Sequence, residues 1–440
     1  MTRALDALVP PAWGRGLRWL LASSWTSNLG DGICLAAGPL LVASRTDDPF
    51  LVSLAVLLQQ LPWLVFGLHA GALADRVDRR LVVVVVDLVR AGVLGVLALS
   101  LATETVSIAV VLAALFLLGT AEVFADTASA TLLPMLVAHQ DLALANARLQ
   151  TGFVTMNQLA GPPLGALLFV VGVAVPFAAQ ALLVGLGALL VSRVVLPVAP
   201  ASQRRPVRTE IAEGCRWVLH HAAVRTLVLT IFIFNITYGA AWSVLVLYAR
   251  DRLGLTEVGY GLIVTVMAGG GLLGALGYGA LTRRVSLGAI MRVGLVIETL
   301  THLALALTTT PAVAFVVFAV FGVHAFVWGA TSTAVRQRMV PRELQGRVGS
   351  VHSLGSYGGL VAGAAFGGVL AQAYGVTAPF WFAFAGSAVF LVALWRQLAH
   401  IAHVDDAHAH VAHVDETHAD ETHADDAGSR SGAQAGRVGG

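Results

Sequence analysis

The chain has 440 residues, of which 57% are hydrophobic and only 12% charged, and its mean hydropathy is +0.79. A water-soluble domain carries about 25% charged residues, so a soluble globule is excluded: it would expose large apolar patches, and the solvent that suits this composition is lipid. The formal net charge of +2 leaves no footprint for nucleic acid.

Pro10, Pro11 and Gly14 precede Trp19 without an apolar h-region or a small-residue cleavage site. No removable signal peptide is expected, and insertion proceeds through the first membrane helix. A hydrocarbon core needs about 20 apolar residues per helix. Twelve such stretches are predicted, over 18–43, 50–73, 81–103, 106–130, 149–172, 175–196, 226–248, 258–281, 287–308, 311–334, 350–372 and 377–397. Cys34 lies inside the first and Cys215 in a basic loop, so no disulfide is expected.

The loops alternate in charge. One side holds Arg15, Arg18, Arg76, Arg79, Arg80, Arg148, Arg204, Arg205, Arg283, Arg284, Arg342 and Arg347, whereas the other holds only Arg45, Arg250 and Arg252. The positive-inside rule places the arginine-rich side and both termini in the cytoplasm of a bacterial cell membrane.

The sequence divides into a six-helix half over 1–196, a linker over 197–225, a second six-helix half over 226–397 and a tail over 398–440. In the linker, Glu210, Ile211, Glu213, Trp217, Val218 and Leu219 recur at helical spacing, which predicts a short amphipathic helix on the cytoplasmic membrane surface. The halves look like repeats. Gly71-Ala-Leu-Ala-Asp-Arg-Val77 matches Gly279-Ala-Leu-Thr-Arg-Arg-Val285, and Gly161-Pro-Pro-Leu-Gly165 matches Gly363-Ala-Ala-Phe-Gly367, each at the same place in the helix count of its half. In the tail a five-residue unit restarts at His403, His408, His413, His418 and His423 among carboxylates and small residues. Such a segment has almost nothing to bury and reads as a solvated, disordered extension. Its imidazoles and carboxylates could hold zinc or nickel loosely, but a five-residue period matches no helix face and fixes no tetrahedral ligand set.

The loop after the second span, Gly71-Ala-Leu-Ala-Asp75-Arg76-Val-Asp78-Arg79-Arg80, resembles the cytoplasmic signature of the major facilitator superfamily, with Asp78 in place of its second glycine. Gly161-Pro162-Pro163-Leu164-Gly165 in the fifth span is similar to the element of the antiporter branch. Ser27-Asn28-Leu-Gly30-Asp31, Ala145-Asn146 and the loop from Met339 to Val348 resemble the enterobactin-exporter and macrolide-efflux branch. The arginine motif that many proton antiporters carry in the fourth span is absent. The resemblance covers about residues 15–397. It implies an all-α integral membrane fold of two pseudo-symmetric six-helix bundles, with substrate bound between them near the midplane. It also implies a conformational gate at Gly71, Asp75, Arg76, Arg79 and Arg80, in which Asp75 meets the N-terminus of the eleventh span. Gly67 and Gly71 would permit close helix approach.

In this superfamily the first, fourth, seventh and tenth spans line the cavity, and those four carry polar stripes: Ser24, Asn28 and Asp31; Glu122 and Asp126; Asn235, Tyr238 and Trp242; His324, Trp328 and Thr331. Asp31 lies about 18 Å deep at 1.5 Å rise per residue, and a charge there costs about 2.5–3.5 kcal/mol on insertion scales, so it should face a cavity or a partner. Asp31, Glu122, Asp126 and His324 are the proton-coupling candidates. Asn28, Asn235, Tyr238, Trp242 and Trp328 are the substrate-binding candidates, although the two tryptophans could be interfacial anchors instead. Asn28 could simply hydrogen-bond Asp31. Asp126 could pair with Arg90 or Asn146. Asp87 and Arg90, three apart, should satisfy each other, and Glu298 and His302, four apart, read as a packed polar pair.

The favoured function is a secondary exporter that exchanges protons for an amphipathic organic molecule, a drug or a siderophore. Its partners would be the bilayer, protons and that molecule, with no nucleic acid; a monomer without cofactors is expected. A lysophospholipid transporter and a non-transporting sensor that uses the histidine-rich tail are the alternatives. An enzyme is not expected, since no Gly-x-Ser-x-Gly, His-Glu-x-x-His or phosphate-binding glycine loop occurs. The topology is testable. In a variant lacking both cysteines, Ser202→Cys should be labelled only from the cytoplasm and Asp47→Cys only from outside; labelling of both from one side would overturn the orientation.

Overall fold

The computed structural model describes residues 14–74, 77–196, 207–395 and 397, and all regular structure among them is helical. In chain order the first six long helices are α1 (Gly14–Arg45), α2 (Pro49–Ala74), α3 (Arg79–Ala102), α4 (Ile108–Ala130), α5 (Leu142–Val171) and α6 (Val175–Val191). A surface helix, α7 (Val207–His220), follows. The second set is α8 (Ala222–Trp242), α9 (Glu257–Thr282), α10 (Leu287–Leu307), α11 (Pro311–Met339), α12 (Gln345–Tyr374) and α13 (Ala378–Trp395).

Ten of these are long and apolar enough to cross a membrane. The remaining two, α1 and the 17-residue α6, complete a series of twelve. α1 is less apolar because it carries the stripe of Ser23, Ser24, Ser27, Asn28 and Asp31. Lipid offers no hydrogen bonds to an open backbone, so helices are the available spanning form for such segments. Side-chain oxygens of Ser107, Asp78, Thr256 and Ser286 cap the N-termini of α4, α3, α9 and α10. Asp78, which departs from the signature's glycine, accepts from the amides of Arg80 and Leu81 at 3.0 and 3.2 Å.

Several boundaries differ from the predicted spans, for a common reason. α5, α11 and α12 run beyond 149, 334 and 350 to Leu142, Met339 and Gln345. Their extra turns carry Asn146, Arg148, Arg336, Arg338 and Arg347, which hydropathy alone reads as loop. α8 stops at Trp242, although the apolar run continues to Tyr248. The residues from Val244 to Ala249 are buried there in a compact turn followed by a π-helical segment at Tyr248–Arg252.

The two six-helix bundles repeat one packing plan. α1 packs on α5, α2 on α4 and α3 on α4; in the second bundle α8 packs on α12, α9 on α11 and α10 on α11. The bundles meet through α2 with α12 and α5 with α9, which are equivalent pairs in the repeat. The matched motifs sit at matched places. α2 and α9 end at Ala74 and Thr282, inside the Gly71 and Gly279 segments. On α5, a Cβ at Gly161 or Gly165 would collide with the backbone of Gly32 or Ile33 of α1; on α12, one at Gly363 or Gly367 would collide with Ile236 or Ala240 of α8. Both glycine motifs therefore seat the fifth helix of a bundle on its first, the close approach that small residues allow in membranes. Gly67 and Gly71 make no such approach among the described residues, none of which lies within 4 Å of a Cβ at either.

Upstream of Gly161, α5 widens into a π-helical stretch at Phe153–Ala160. Pro162 and Pro163 lack amide hydrogens and displace the preceding turn's carbonyls, and a π-helical register absorbs that disturbance without ending the helix. The stretch presses Asn157 onto Gly32 of α1.

The α1–α5 seam is testable. Gly32→Leu should destabilise the protein by about 1–3 kcal/mol or more, as overpacking does, lowering Tm in detergent and the yield of monodisperse protein. Gly92→Leu, where no neighbour lies within 4 Å, should change neither. Equal behaviour of the two variants would refute the seam.

Candidate functional site

A cavity of about 300 Å³ opens at the end of the first bundle where α1 and α3 begin and α4 ends, lined by Asn28, Asp31, Asp87, Arg90, Glu122 and Asp126 among others. Arg90, from the middle of the apolar run of α3, is its hub. Its Nη2 donates to Oδ1 of Asp31 at 2.5 Å and its Nη1 to Oδ1 of Asp87 at 3.1 Å. Gln180 of α6 donates to the same oxygen of Asp31 at 3.0 Å. The side chains of Arg90 and Asp87 are each 5% exposed, whereas that of Asp31 is 20% exposed and looks into the cavity. Glu122 and Asp126 of α4 stand within electrostatic reach of the same guanidinium, and Asp126 is exposed to the cavity.

Four carboxylates thus surround one cation. A charge pair away from water persists only with good geometry and further hydrogen bonds, which Arg90 and Gln180 supply to Asp31 from two other helices. The cavity is an acid-rich chamber in which Asp31 is tied to Arg90, the one arginine among its described lining residues.

The sequence-derived candidates fall into separate groups. Asp31, Glu122, Asp126 and Asn28 share this chamber. Asn28, however, donates to Ser24 O at 2.7 Å and not to Asp31. Asn235, Tyr238, Trp242, His324 and Trp328 do not line the chamber; they stand in the second bundle. Tyr238 stacks on Trp242 at 4.4 Å and on Phe321 at 5.8 Å, so the stripes of α8 and α11 face each other there. Asn235 donates to Ile231 O at 2.7 Å. Glu298 does not pair with His302: its Oε2 is 3.3 Å from Nε2 of His324. Arg79 donates to the sulfur of Met135, and Arg80 to Val194 O at 3.0 Å. Asp75, Arg76 and the tail histidines His403, His408, His413, His418 and His423 lie outside the described residues. Arg90's pairing with Asp31 and the part of Gln180 were missed in the sequence; an arginine in the centre of an apolar span was the available signal.

A second, largely apolar cleft of about 620 Å³ lies between the bundles, bounded by α5, α9 and α11 and including Val154, Met267, Leu272 and Phe326. It shares Gln150 with the acidic chamber. At the opposite end the bundles are closed. There α1 residues from Ala36 to Val42 pack with Val244–Ala249 and Tyr260 in one apolar core. Outside that core Arg250 reaches Asp47 at 2.9 Å, and Gln372 reaches Asp48 at 3.1 Å.

This two-bundle helical body, closed at one end and hollow with buried charge at the other, has the plan of the major facilitator superfamily, and the relatives make the chain a membrane transporter of that superfamily. The chain belongs to the transmembrane secretion effector family, whose profile matches residues 10–430. It is 30% identical over 382 residues to the multidrug efflux pump Tap of Mycolicibacterium fortuitum, covering 82% of this chain and 90% of that protein. It is 24% identical over 371 residues to macrolide efflux protein A of Streptococcus pyogenes, covering 80% and 88%. Among solved structures, a bacterial homologue of the iron transporter ferroportin in its inward-facing state aligns with TM-score 0.68 at 18% identity, covering 87% of this chain and 98% of that one. The nucleoside transporter NupG aligns with TM-score 0.69 at 12% identity, covering 86% and 98%. These two share the fold alone.

The hub has an energetic test. Arg90→Leu strands buried carboxylates, and breaking one side of such a pair costs about 3–5 kcal/mol. A large fall in Tm is expected, recovered in part when Asp31→Asn and Asp87→Asn are added. An unchanged Tm in the single variant would show that Arg90 does not hold the site.

Proposed function

We propose that this protein exports an amphipathic organic compound, a drug or siderophore-like molecule, in exchange for protons, by alternating access, with its hollow end toward the cytoplasm. The observation that carries the reading is the adjacency of two spaces, an acid-rich chamber in the first bundle and an apolar cleft between the bundles, with Gln150 lining both. A molecule with an apolar body and a basic group would lodge its body in the cleft and its charge among Asp31, Glu122 and Asp126, where ring faces and carboxylates both favour cations. Export as the direction draws on the relatives' names, multidrug and macrolide efflux.

Coupling would run through Asp31. Ionised, it holds Arg90 and Gln180 and so ties α1 to α3 and α6. Protonated, it gives up much of its attraction for the guanidinium, which keeps Asp87, and α1 loosens from its neighbours. α1 also carries the apolar closure at the other end, from Ala36 to Val42, so charge at Asp31 biases which end is shut. A cationic cargo and a proton would compete for the same carboxylate, and that competition links the two fluxes. The gate at Gly71, Asp75, Arg76, Arg79 and Arg80 belongs to this proposal through the signature it resembles.

The test is Asp31→Asn in inverted membrane vesicles, with erythromycin and ethidium as probes. Probe-induced proton release should vanish while downhill probe exchange partly survives. Retained coupling would remove Asp31 from the mechanism and transfer the role to Glu122.

A further inference from the structure

The second bundle contains no counterpart of the acidic chamber among its described cavities, yet it buries three titratable groups together. Glu298 and His302 belong to α10 and His324 to α11. The side chains of Glu298 and His324 are 8% and 3% exposed, and Glu298 Oε2 lies 3.3 Å from His324 Nε2. His302 is 0% exposed, and among the described residues neither of its ring nitrogens has a hydrogen-bond partner. A neutral imidazole has one donor and one acceptor to satisfy, and leaving a buried polar group unmade costs about 1–3 kcal/mol. A leucine would fill that place more cheaply. The orphaned ring is therefore a conformational partner waiting for a group, and the group within reach is Glu298, one helical turn away on the same face.

We propose that Glu298, His324 and His302 form a second proton-binding site, in which the Glu298 carboxyl holds a proton with His324 in this conformer and with His302 in the other. The ligand is a proton. In the present arrangement one proton lies between Glu298 Oε2 and His324 Nε2, and with it the pair is neutral overall. When α11 slides against α10, the contact between the two helices breaks. Glu298 then turns along its own helix, and the proton passes with it to the Glu298–His302 pair. The site keeps one proton and zero net charge throughout, as an apolar surrounding requires. Release to water leaves a single negative charge, which is unfavourable until that end of the bundle opens.

The groups facing the triad fit this role. From α8, Tyr238 stands near Glu298, and Trp242 meets the His302 ring edge-to-face at 6.0 Å. From α9, Tyr260 lies beyond Tyr238. From α11, Phe321 and Trp328 flank His324 at 5.8 and 6.4 Å. Arg292 of α10 does not neutralise Glu298, because its guanidinium lies 5.5 Å over the Trp395 ring. Among the described residues no arginine is paired with this carboxylate, in contrast to Arg90 in the first bundle. The carboxyl's hydrogen-bonding neighbour is the imidazole of His324, with the Tyr238 phenol farther off, and imidazole is the side chain whose free form titrates between about pH 5 and 8.

This site rests on the proposed proton coupling, but it can be read without cargo. The full chain in lipid nanodiscs is stepped between about pH 5 and pH 8, and released protons are counted with a dye while infrared difference spectra record carboxyl and imidazole bands. Glu298→Gln should release one proton fewer per chain and lose one carboxyl band, while the Asp31→Asn spectrum loses a different one. His324→Gln should lose an imidazole band and provides the same test if Glu298→Gln fails to fold. In His302→Phe the proton count should stay, but erythromycin efflux under an imposed pH gradient should fall at least tenfold. Wild-type proton counts and bands in both Glu298→Gln and His324→Gln would overturn the site, as would unimpaired efflux in His302→Phe. If the site behaves as expected and no probe is exported by the wild type, the export reading fails while proton binding at Glu298 stands.

Discussion

One guanidinium in the middle of an apolar helix sets the terms for the first bundle. Arg90 is nearly buried, so its charge must be met by carboxylates close to it: Asp87 from its own helix, Asp31 from α1, and Glu122 and Asp126 from α4 at longer range. The requirement fixes how α1, α3, α4 and α6 are rotated about their axes, because each must turn its polar residue inward. It also creates the imbalance that gives the chamber its chemistry, since one cation cannot neutralise four acids. In the function proposed above, stability and coupling are the same interaction seen from two sides. A well-compensated site would hold the helices more tightly, and it would offer nothing to the proton that the proposed exchange requires.

The two bundles share their framework and differ in what they bury. Glycines on α5 and α12 seat each fifth helix on its first in equivalent ways, and equivalent helices meet across the interface. The polar content has diverged. The first bundle is arginine-centred and hollow, whereas the second packs Tyr238, Trp242, Phe318 and Phe321 against each other around a histidine–carboxylate pair. Backbone contact through small residues constrains sequence only at the seam, so the remainder of each bundle is left open to different chemistry.

Much of the fold was legible because a membrane asks a simple question of a sequence: length and continuity of apolar residues. Errors arose where helices leave the hydrocarbon, as at Asn146 and Arg347, and where an apolar run is buried by folding back, as from Val244 to Ala249. The site was legible in part. Asp31 stands out as an acid deep in an apolar stretch. Its choice of Arg90, 59 residues away, depends on how α1 and α3 are rotated, which no local spacing encodes. Glu298 and His302 illustrate the converse: a spacing of four residues permits a pair but does not compel one, and His324 of the next helix offered Glu298 the contact instead.

At the closed end, the polar contact between Arg250 and Asp47 is exposed; the two side chains are 41% and 88% accessible. Exposed pairs contribute about 0–1 kcal/mol and are weakened by salt, with a screening length of about 8 Å at physiological ionic strength. Such a latch shifts a two-conformer equilibrium by no more than about fivefold, given that 1.4 kcal/mol is tenfold. The closed end is therefore held chiefly by its apolar seam and only trimmed by charge, so under the proposed alternating access the surrounding electrolyte would be a fine adjustment on how long the molecule dwells in each orientation. In such a cycle a strong ionic lock would make every turnover wait on its rupture, whereas a weak one lets this end part as soon as its apolar seam does.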